Sequence, residues 1–327
     1  MKRATVYFLV AAVLTCGQAF AAGHKPASIS VGYFLHWPTP SQFSQLKKTY
    51  DFALGVDVNW VSFASGTDMN RALAAGEIQV AYAQGHVPFV VAVTNGLELT
   101  MIGIAVTYPE NDNCILRDDA GITRATARQL EGRKVATQVG GVTHFKLLQV
   151  LDHLGVDASR VEIMSVENGA EAAAALQRGD VVMACAFGNS LRRMSAIGQP
   201  LLSGAEQEAI GLKLFDVISV PTAFMDEHPE IVQAFMDVTE ATNSQWRQNP
   251  DPMRAAIARA ADMDPISANR TLDRFSFPSA AEQKSTDWMD QQVADYSKSL
   301  ADFFVEHGRM KKALDSYDAH ITTRFLR

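Results

Sequence analysis

Four stretches place polar, aromatic and glycine residues where an apolar strand gives way to a helix. They are His36-Trp37-Pro38-Thr39-Pro40, Gln84-Gly85-His86, Gly140-Gly141-Val142-Thr143-His144 and Phe187-Gly188-Asn189-Ser190. A helix start offers unpaired backbone N–H groups and partial positive charge, so such turns suit an anion. One helix end contributes about 0.3–2 kcal/mol, whereas micromolar binding needs about 8 kcal/mol; several turns must therefore converge. The Gly140–His144 turn is the most anion-like, because its glycines let a ligand approach the backbone and Thr143 adds a hydroxyl. No Gly-Lys-Ser/Thr follows it, so it is not a nucleotide loop. His36, His86 and His144 recur in these turns without the close pair spacing of a metal site, which favours polar cleft histidines over ligands. Trp37 and Phe187, at strand ends, either wall a pocket or belong to the core. There is no G-x-S-x-G, H-E-x-x-H or CxxC motif and no obvious carboxylate pair.

The elements that must carry these turns are written twice. Ala72–Gly85 and Ala175–Gly188 share the pattern AL-x-x-G-(acid)-(branched)-x-x-A-x-A-x-G, 103 positions apart. That spacing is too long for a solenoid and suits two similar α/β lobes, each ending a strand at an equivalent turn. Thr67 or Asp68 is the candidate cap of the first copy's helix, and Gly76 its left-handed stop. Apolar strands at Ile29–Phe34, Val56–Phe63, Leu99–Ala105 and Val161–Ser165 alternate with helices, implying parallel sheets with crossovers. Helices are expected at Ser41–Lys48, Phe145–Leu154 and Asn189–Ala196. A helical final third follows: Pro229 to about Gln248, Met253–Ala261, Ser267–Arg274 and Ala280–Glu306, with Gly308 as a stop. Ligands of open parallel sheets lie beyond the carboxyl ends of the strands, which is where the four turns fall.

The 327 residues, 47% hydrophobic and 20% charged, suffice for one large core or two ordinary lobes. Residues 1–21 read as a secretory signal: Lys2-Arg3, the apolar run Val6–Leu14 and the A-x-A site Ala19-Phe20-Ala21. Removing it changes the formal charge from −7 to −9. No basic stripe exists, which argues against nucleic acid. Cys114 and Cys185 fall on different lobes if the chain crosses at Cys114–Leu116, and are then expected as buried free thiols, although an exported chain permits pairing. The division expected is 22–113 for the first lobe, 114–116 for one crossing, 117–213 for the second lobe, 214–220 for the return, and 221–327 for the rest of the first lobe.

The segments FASGTDMNRALAAGEIQVAYAQGHVPFVVA, GRKVATQVGGVTHFKLLQVLDHLGV, ALQRGDVVMACAF, FMDEHPEIVQAF and DSYDAHITTRFLR together resemble one family. From about Ile29 to Arg327 the chain is similar to the periplasmic substrate-binding proteins of ABC importers, in particular the taurine-binding branch of the sulfonate-binding group. The resemblance implies an α/β two-lobe fold of type II with the ligand cleft between the lobes and the C-terminal helices on the first. It also implies no enzymatic activity, no cofactor or metal, and a monomer that hands a small molecule to the membrane subunits of a permease. Ligand contacts carry over to Gln84, Gly85 and His86 in the first lobe and Val142, Thr143 and His144 in the second. His36 and Trp37 join them from the first turn. Phe187 stands where taurine-binding relatives have Trp, and Asp216 matches an Asp suited to an ammonium group. Taurine or a related amino-sulfonate is the first expected ligand. The aromatic turn Phe34-Leu35-His36-Trp37-Pro38 leaves a methylated cationic head as the alternative. A thiamine-pyrimidine enzyme, the alternative from another class, is intracellular and sits poorly with the signal segment.

Overall fold

The protein is described by a computed structural model covering residues 25–327. The signal segment and its cleavage after Ala21 lie outside the described residues. Ten strands form two five-stranded sheets. They are β1 (Ser28–Tyr33), β2 (Asp57–Ser62), β3 (Val80–Gly85), β4 (Leu99–Thr107), β5 (Asp112–Arg117), β6 (Lys134–Thr137), β7 (Glu162–Ser165), β8 (Met183–Phe187), β9 (Gly198–Pro200) and β10 (Phe215–Pro221). The first sheet has the order β2-β1-β3-β10-β4 and the second β7-β6-β8-β5-β9. In each, three strands run parallel and the fourth is antiparallel to both neighbours: β10 against β3 and β4, β5 against β8 and β9. The antiparallel strand of each sheet is the first strand after the chain arrives from the other sheet, and the fold is a two-lobe α/β structure of type II topology.

The internal repeat is longer in space than its sequence pattern suggested. Ser65 caps helix Gly66–Ala74 by accepting the Asp68 N–H at 3.2 Å, in place of the expected Thr67 or Asp68. Asn168, 103 positions on, caps helix Gly169–Arg178 by accepting the Glu171 N–H at 3.1 Å. Both segments then turn through a left-handed glycine, Gly76 with φ 73° and Gly179 with φ 79°, a conformation that costs a side-chain-bearing residue energy. Each copy delivers a strand, β3 or β8, into the middle of its sheet.

Two expectations are corrected here. Cys114–Leu116 is not a crossing but lies inside β5 of the second sheet, because Cys114-Ile115-Leu116 is an apolar run that pairs with β8. The chain passes between sheets just before it, at the 3₁₀ turn Pro109–Asn111, and returns between β9 and β10. The return expected at 214–220 is corrected with it, since all of that segment but Leu214 falls in β10, inside the first sheet. Cys114 and Cys185 therefore share one lobe, sit directly opposite in the β5–β8 ladder, and form a disulfide.

Helix Pro229–Gln248 matches its expected span, while Ala280–Glu306 divides into Ala280–Gln283 and Gln292–Glu306. The break is useful to packing, since the intervening turn lays Trp288 edge-on against Phe215 at 5.6 Å. The C-terminal helices share one apolar core with the first sheet, and the second sheet carries a separate apolar cluster on each face. Among the described residues no helix is long and apolar enough to cross a membrane.

Candidate functional site

The β10–β3 ladder sets Asp216 opposite Gly85 at the carboxyl end of β3. Asp216 is only 3% exposed, and an unpaired carboxylate there is costly. Burial pushes its pKa up to about 7. Two groups pull it back down. The Tyr108 hydroxyl donates to Oδ1. The Trp37 indole N–H lies close enough to contribute without reaching hydrogen-bond geometry. No cationic side chain among the described residues pairs with this carboxylate. Trp37, Tyr108 and Phe275 form an aromatic cluster beside it, with ring centroids 4.6–5.7 Å apart.

Trp37 also belongs to a second constellation. With Trp60, Tyr82, Thr39, Ser41 and Gln42 it lines a void of about 10 Å³ at the carboxyl ends of β1 and β3. The N–H groups of Trp37 and Trp60 and the hydroxyl of Tyr82 are all buried there without a partner in the protein. The Tyr82 hydroxyl lies beside Thr39 and Ser41, and within the field of Asp216. Buried donors are ordinarily satisfied, so the orphans of Trp60 and Tyr82 beside one void make it a candidate place for acceptor oxygens, while the Trp37 N–H lies toward Asp216. Ala83, which lines the same void, holds φ 68°, a strained conformation for a residue with a Cβ and one that collects at functional sites.

In the second lobe, helix Val142–His153 starts three residues earlier than expected and has no side-chain cap. Thr143 and His144 thus lie in its first turn. The Thr143 hydroxyl donates to Asp112 Oδ2 at 2.9 Å, so it is already committed inside the lobe. Asp112, 2% exposed, keeps Oδ1 without a hydrogen bond; the Lys146 ammonium is 3.7 Å from that atom and donates to the Asp112 carbonyl at 2.7 Å. The register places Asp112 opposite Phe187, which is 58% exposed. Burial, then the charge of Asp216 and more weakly that of Asp112, raises the pKa of Tyr108, which keeps its hydroxyl a donor to Asp216.

The other expected residues have different placements. Gln84 is fully buried, with its amide nitrogen bonded to Gly66 and Asn70 and its oxygen accepting from Ser219 at 2.9 Å. It braces the repeat helix against β10 and has no group left for a ligand. The His86 ring stacks between Phe215 and Tyr296 at 4.5 and 5.4 Å. Its Nε2 meets Ser297 Oγ at 2.8 Å. Since that hydroxyl donates to the Val293 carbonyl, His86 is the donor, and burial lowers its pKa to about 3. His36 is exposed and its Nδ1 donates to the Ala261 carbonyl at 3.0 Å, away from the cluster. His144 Nδ1 accepts the Gly140 N–H at 3.2 Å, and its ring abuts Phe303 and His307. Burial, then the neighbouring His307, lowers its pKa to about 4. The three histidines thus sit in three separate environments, and among the described residues no His/Cys/Asp/Glu group is arranged to hold a metal.

Four residues escaped the sequence reading: Trp60, Tyr82, Tyr108 and Asp112. Each carried a faint signal, because a Trp or Tyr with a polar handle in an apolar strand needs a partner. Tyr108 and Asp112 flank the segment that leaves the first sheet.

Two α/β lobes, joined by crossings that lie beside buried, incompletely partnered polar groups, define the two-lobe binding-protein class of fold. The structure resembles the periplasmic aliphatic sulphonate binding protein SsuA of Escherichia coli with a TM-score of 0.69 and 19% identity, covering 89% of this chain and 96% of that one. A mutant of the desulfurization enzyme DSZB in complex with biphenyl-2-sulfinic acid shares the fold at a TM-score of 0.61 and 15% identity, covering 92% and 98%. Residues 47–253 match the NMT1/THI5 like family, and the chain belongs to it. In sequence it is 24% identical over 294 residues to the taurine-binding periplasmic protein of Escherichia coli strain K12, covering 88% of this chain and 89% of the relative.

Proposed function

We propose that this chain is a periplasmic solute-binding protein that takes an amino-sulfonate such as taurine and presents it to the membrane subunits of an ABC importer. One observation carries the reading: Trp37 joins a buried carboxylate without a cation, Asp216, to a void lined by Trp60 and Tyr82, two donors without acceptors. An ammonium group satisfies the first and sulfonate oxygens the second. The anionic end then rests on Trp37, Trp60 and Tyr82. Gly85, opposite Asp216, leaves room for the cationic end. Val142 and Thr143 contribute backbone N–H groups from the uncapped helix start as the second lobe closes, and Phe187 covers the ligand from that side. Closure bends the chain at Pro109–Asn111 and between β9 and β10. The void of about 10 Å³ accommodates a single water-sized group, so admitting a sulfonate requires Trp37 to move with the turn that carries it. The taurine-binding relative supports a binding role over catalysis.

The aromatic rings around Asp216 favour one second reading, a methylated cation such as a betaine. A thermal-shift screen of the mature chain against taurine, alkanesulfonates and betaines tests both. A true ligand at 100 times its dissociation constant stabilises by about 2.7 kcal/mol. Stabilisation by taurine above ethanesulfonate supports the amino-sulfonate, stabilisation by glycine betaine alone supports the second reading, and silence from all of them contradicts both.

A further inference from the structure

A groove of about 910 Å³ lies between helix Gly204–Ala209 and the C-terminal helices. Its walls include Trp246, Phe275, Phe277 and Trp288. Its size matches sites for ligands of several hundred Å³, far beyond what the void between Trp60 and Tyr82 holds.

The groove's charges are mostly neutralised internally. Arg254 pairs with Asp273 at 2.9 Å and stacks on Trp246 at 5.1 Å. Arg247 pairs with Glu240 at 2.6 Å and donates to the Phe277 carbonyl at 2.8 Å. Glu282 caps Ser279 at 2.7 Å. Lys213 and the two acids nearest it, Glu208 and Asp287, are the exceptions, and Glu208 Oε1 is buried without a hydrogen bond. Lys213 is 4% exposed, forms no ion pair among the described residues, and makes one long hydrogen bond of 3.4 Å to the Glu208 carbonyl. Its ammonium is held 4.3 Å above the ring of Trp288, which fixes it at the wall of the groove. Burial lowers its pKa, while Glu208 and Asp287 act in the opposite sense from a distance; burial in turn raises the pKa of Glu208, which weakens it as a competing anion. A buried ammonium normally has a close partner, and among the described residues neither carboxylate comes within ion-pair distance of Lys213, whose one hydrogen bond is to the Glu208 carbonyl.

We propose that this groove is a second ligand site, for a small organic anion with a flat apolar body. The anionic head meets Lys213, and the body lies against Phe277 and Trp246. The groove shares no lining residue with the void at Trp60 and Tyr82, and Phe275, which packs on Trp37, lies between the two.

Calorimetric titration of the mature chain with naphthalene-2-sulfonate tests the site, with uncharged 2-naphthol as the comparison. The wild type is expected to bind naphthalene-2-sulfonate below roughly 1 mM. Lys213→Gln is expected to weaken it about ten- to hundredfold and to leave 2-naphthol unchanged. Trp288→Leu, which removes the ring that holds the ammonium, is expected to weaken the sulfonate as well, and Tyr82→Phe, which removes a donor for sulfonate oxygens in the cleft, to leave its affinity unchanged. Absence of wild-type binding, equal affinity in Lys213→Gln, or a loss in Tyr82→Phe would overturn the second site.

Discussion

Asp112 and Asp216 occupy equivalent places in the two sheets, each on the antiparallel strand and each opposite the end of a repeat strand: Asp216 faces Gly85 and Asp112 faces Phe187. Each accepts a hydroxyl hydrogen bond, Asp216 from Tyr108 and Asp112 from Thr143. The symmetry ends at the cations, for Lys146 lies beside Asp112 and nothing comparable among the described residues lies beside Asp216. One carboxylate therefore has its counter-charge within the lobe, and the other has none among the described residues.

The raised pKa of Asp216 gives its charge a pH signature. Its folded value is about 7 against 3.8 for the free side chain. The folded state thus holds the proton longer, and the stability tied to this group is complete below about pH 4 and is lost as pH rises toward 7. The full loss is on the order of 4 kcal/mol. Asp216→Asn should therefore raise the stability of the unliganded protein more at pH 8 than at pH 4, measured by urea unfolding. Ligand affinity should run the opposite way, with an ammonium-bearing ligand binding more tightly from pH 5 to pH 8.

Tyr82→Phe removes a buried donor that has no acceptor. Such an orphan costs about 1–3 kcal/mol, so the variant should melt higher without ligand while binding a sulfonate about tenfold more weakly. Melting and titration of the same preparation read both signs. A fall in stability would mean that the hydroxyl has a structural partner.

Much of this was legible from the pattern of residues, and the failures have physical causes. β3 and β8 could be located because the AL-x-x-G segments carry both the helix stop and the alternation of a buried strand. Asp216 stood out as a lone acid in the apolar run Leu214–Val220. Gln84 and His86 looked like contacts because they flank a turn, but sequence position does not reveal which side of a sheet end a side chain takes. Cys114 was separated from Cys185 by a boundary drawn five residues too late, since an apolar run leaving one lobe looks the same as one entering the next. Lys213 carries no local signal, because its burial depends on Trp288, which is distant in sequence.

His86 supplies an acid-side prediction. Its pKa falls from 6.5 to about 3 on burial, so the unfolded chain takes up the proton first. The stability tied to it is present above pH 6.5 and is lost as pH falls toward 3. His86→Phe, which keeps a ring between Phe215 and Tyr296, should flatten the decline in melting temperature over that interval. An unchanged profile would mean that His86 is not the group being protonated.

The Cys114–Cys185 disulfide closes a loop with a sequence separation of 71 residues within the second lobe. Reduction should lower stability by about 2–5 kcal/mol, measured by denaturant unfolding with and without reductant. Thiol titration of the native oxidised protein should find no free cysteine in the mature chain.

The central claim is that Asp216 selects the ammonium end of a sulfonate ligand, and titrating taurine and ethanesulfonate into the wild type and Asp216→Asn at pH 8 tests it most directly. The account predicts that the wild type prefers taurine by about ten- to hundredfold, and that Asp216→Asn loses this preference by weakening taurine alone. Equal wild-type affinity for the two sulfonates, or an equal loss of both in the variant, would contradict it.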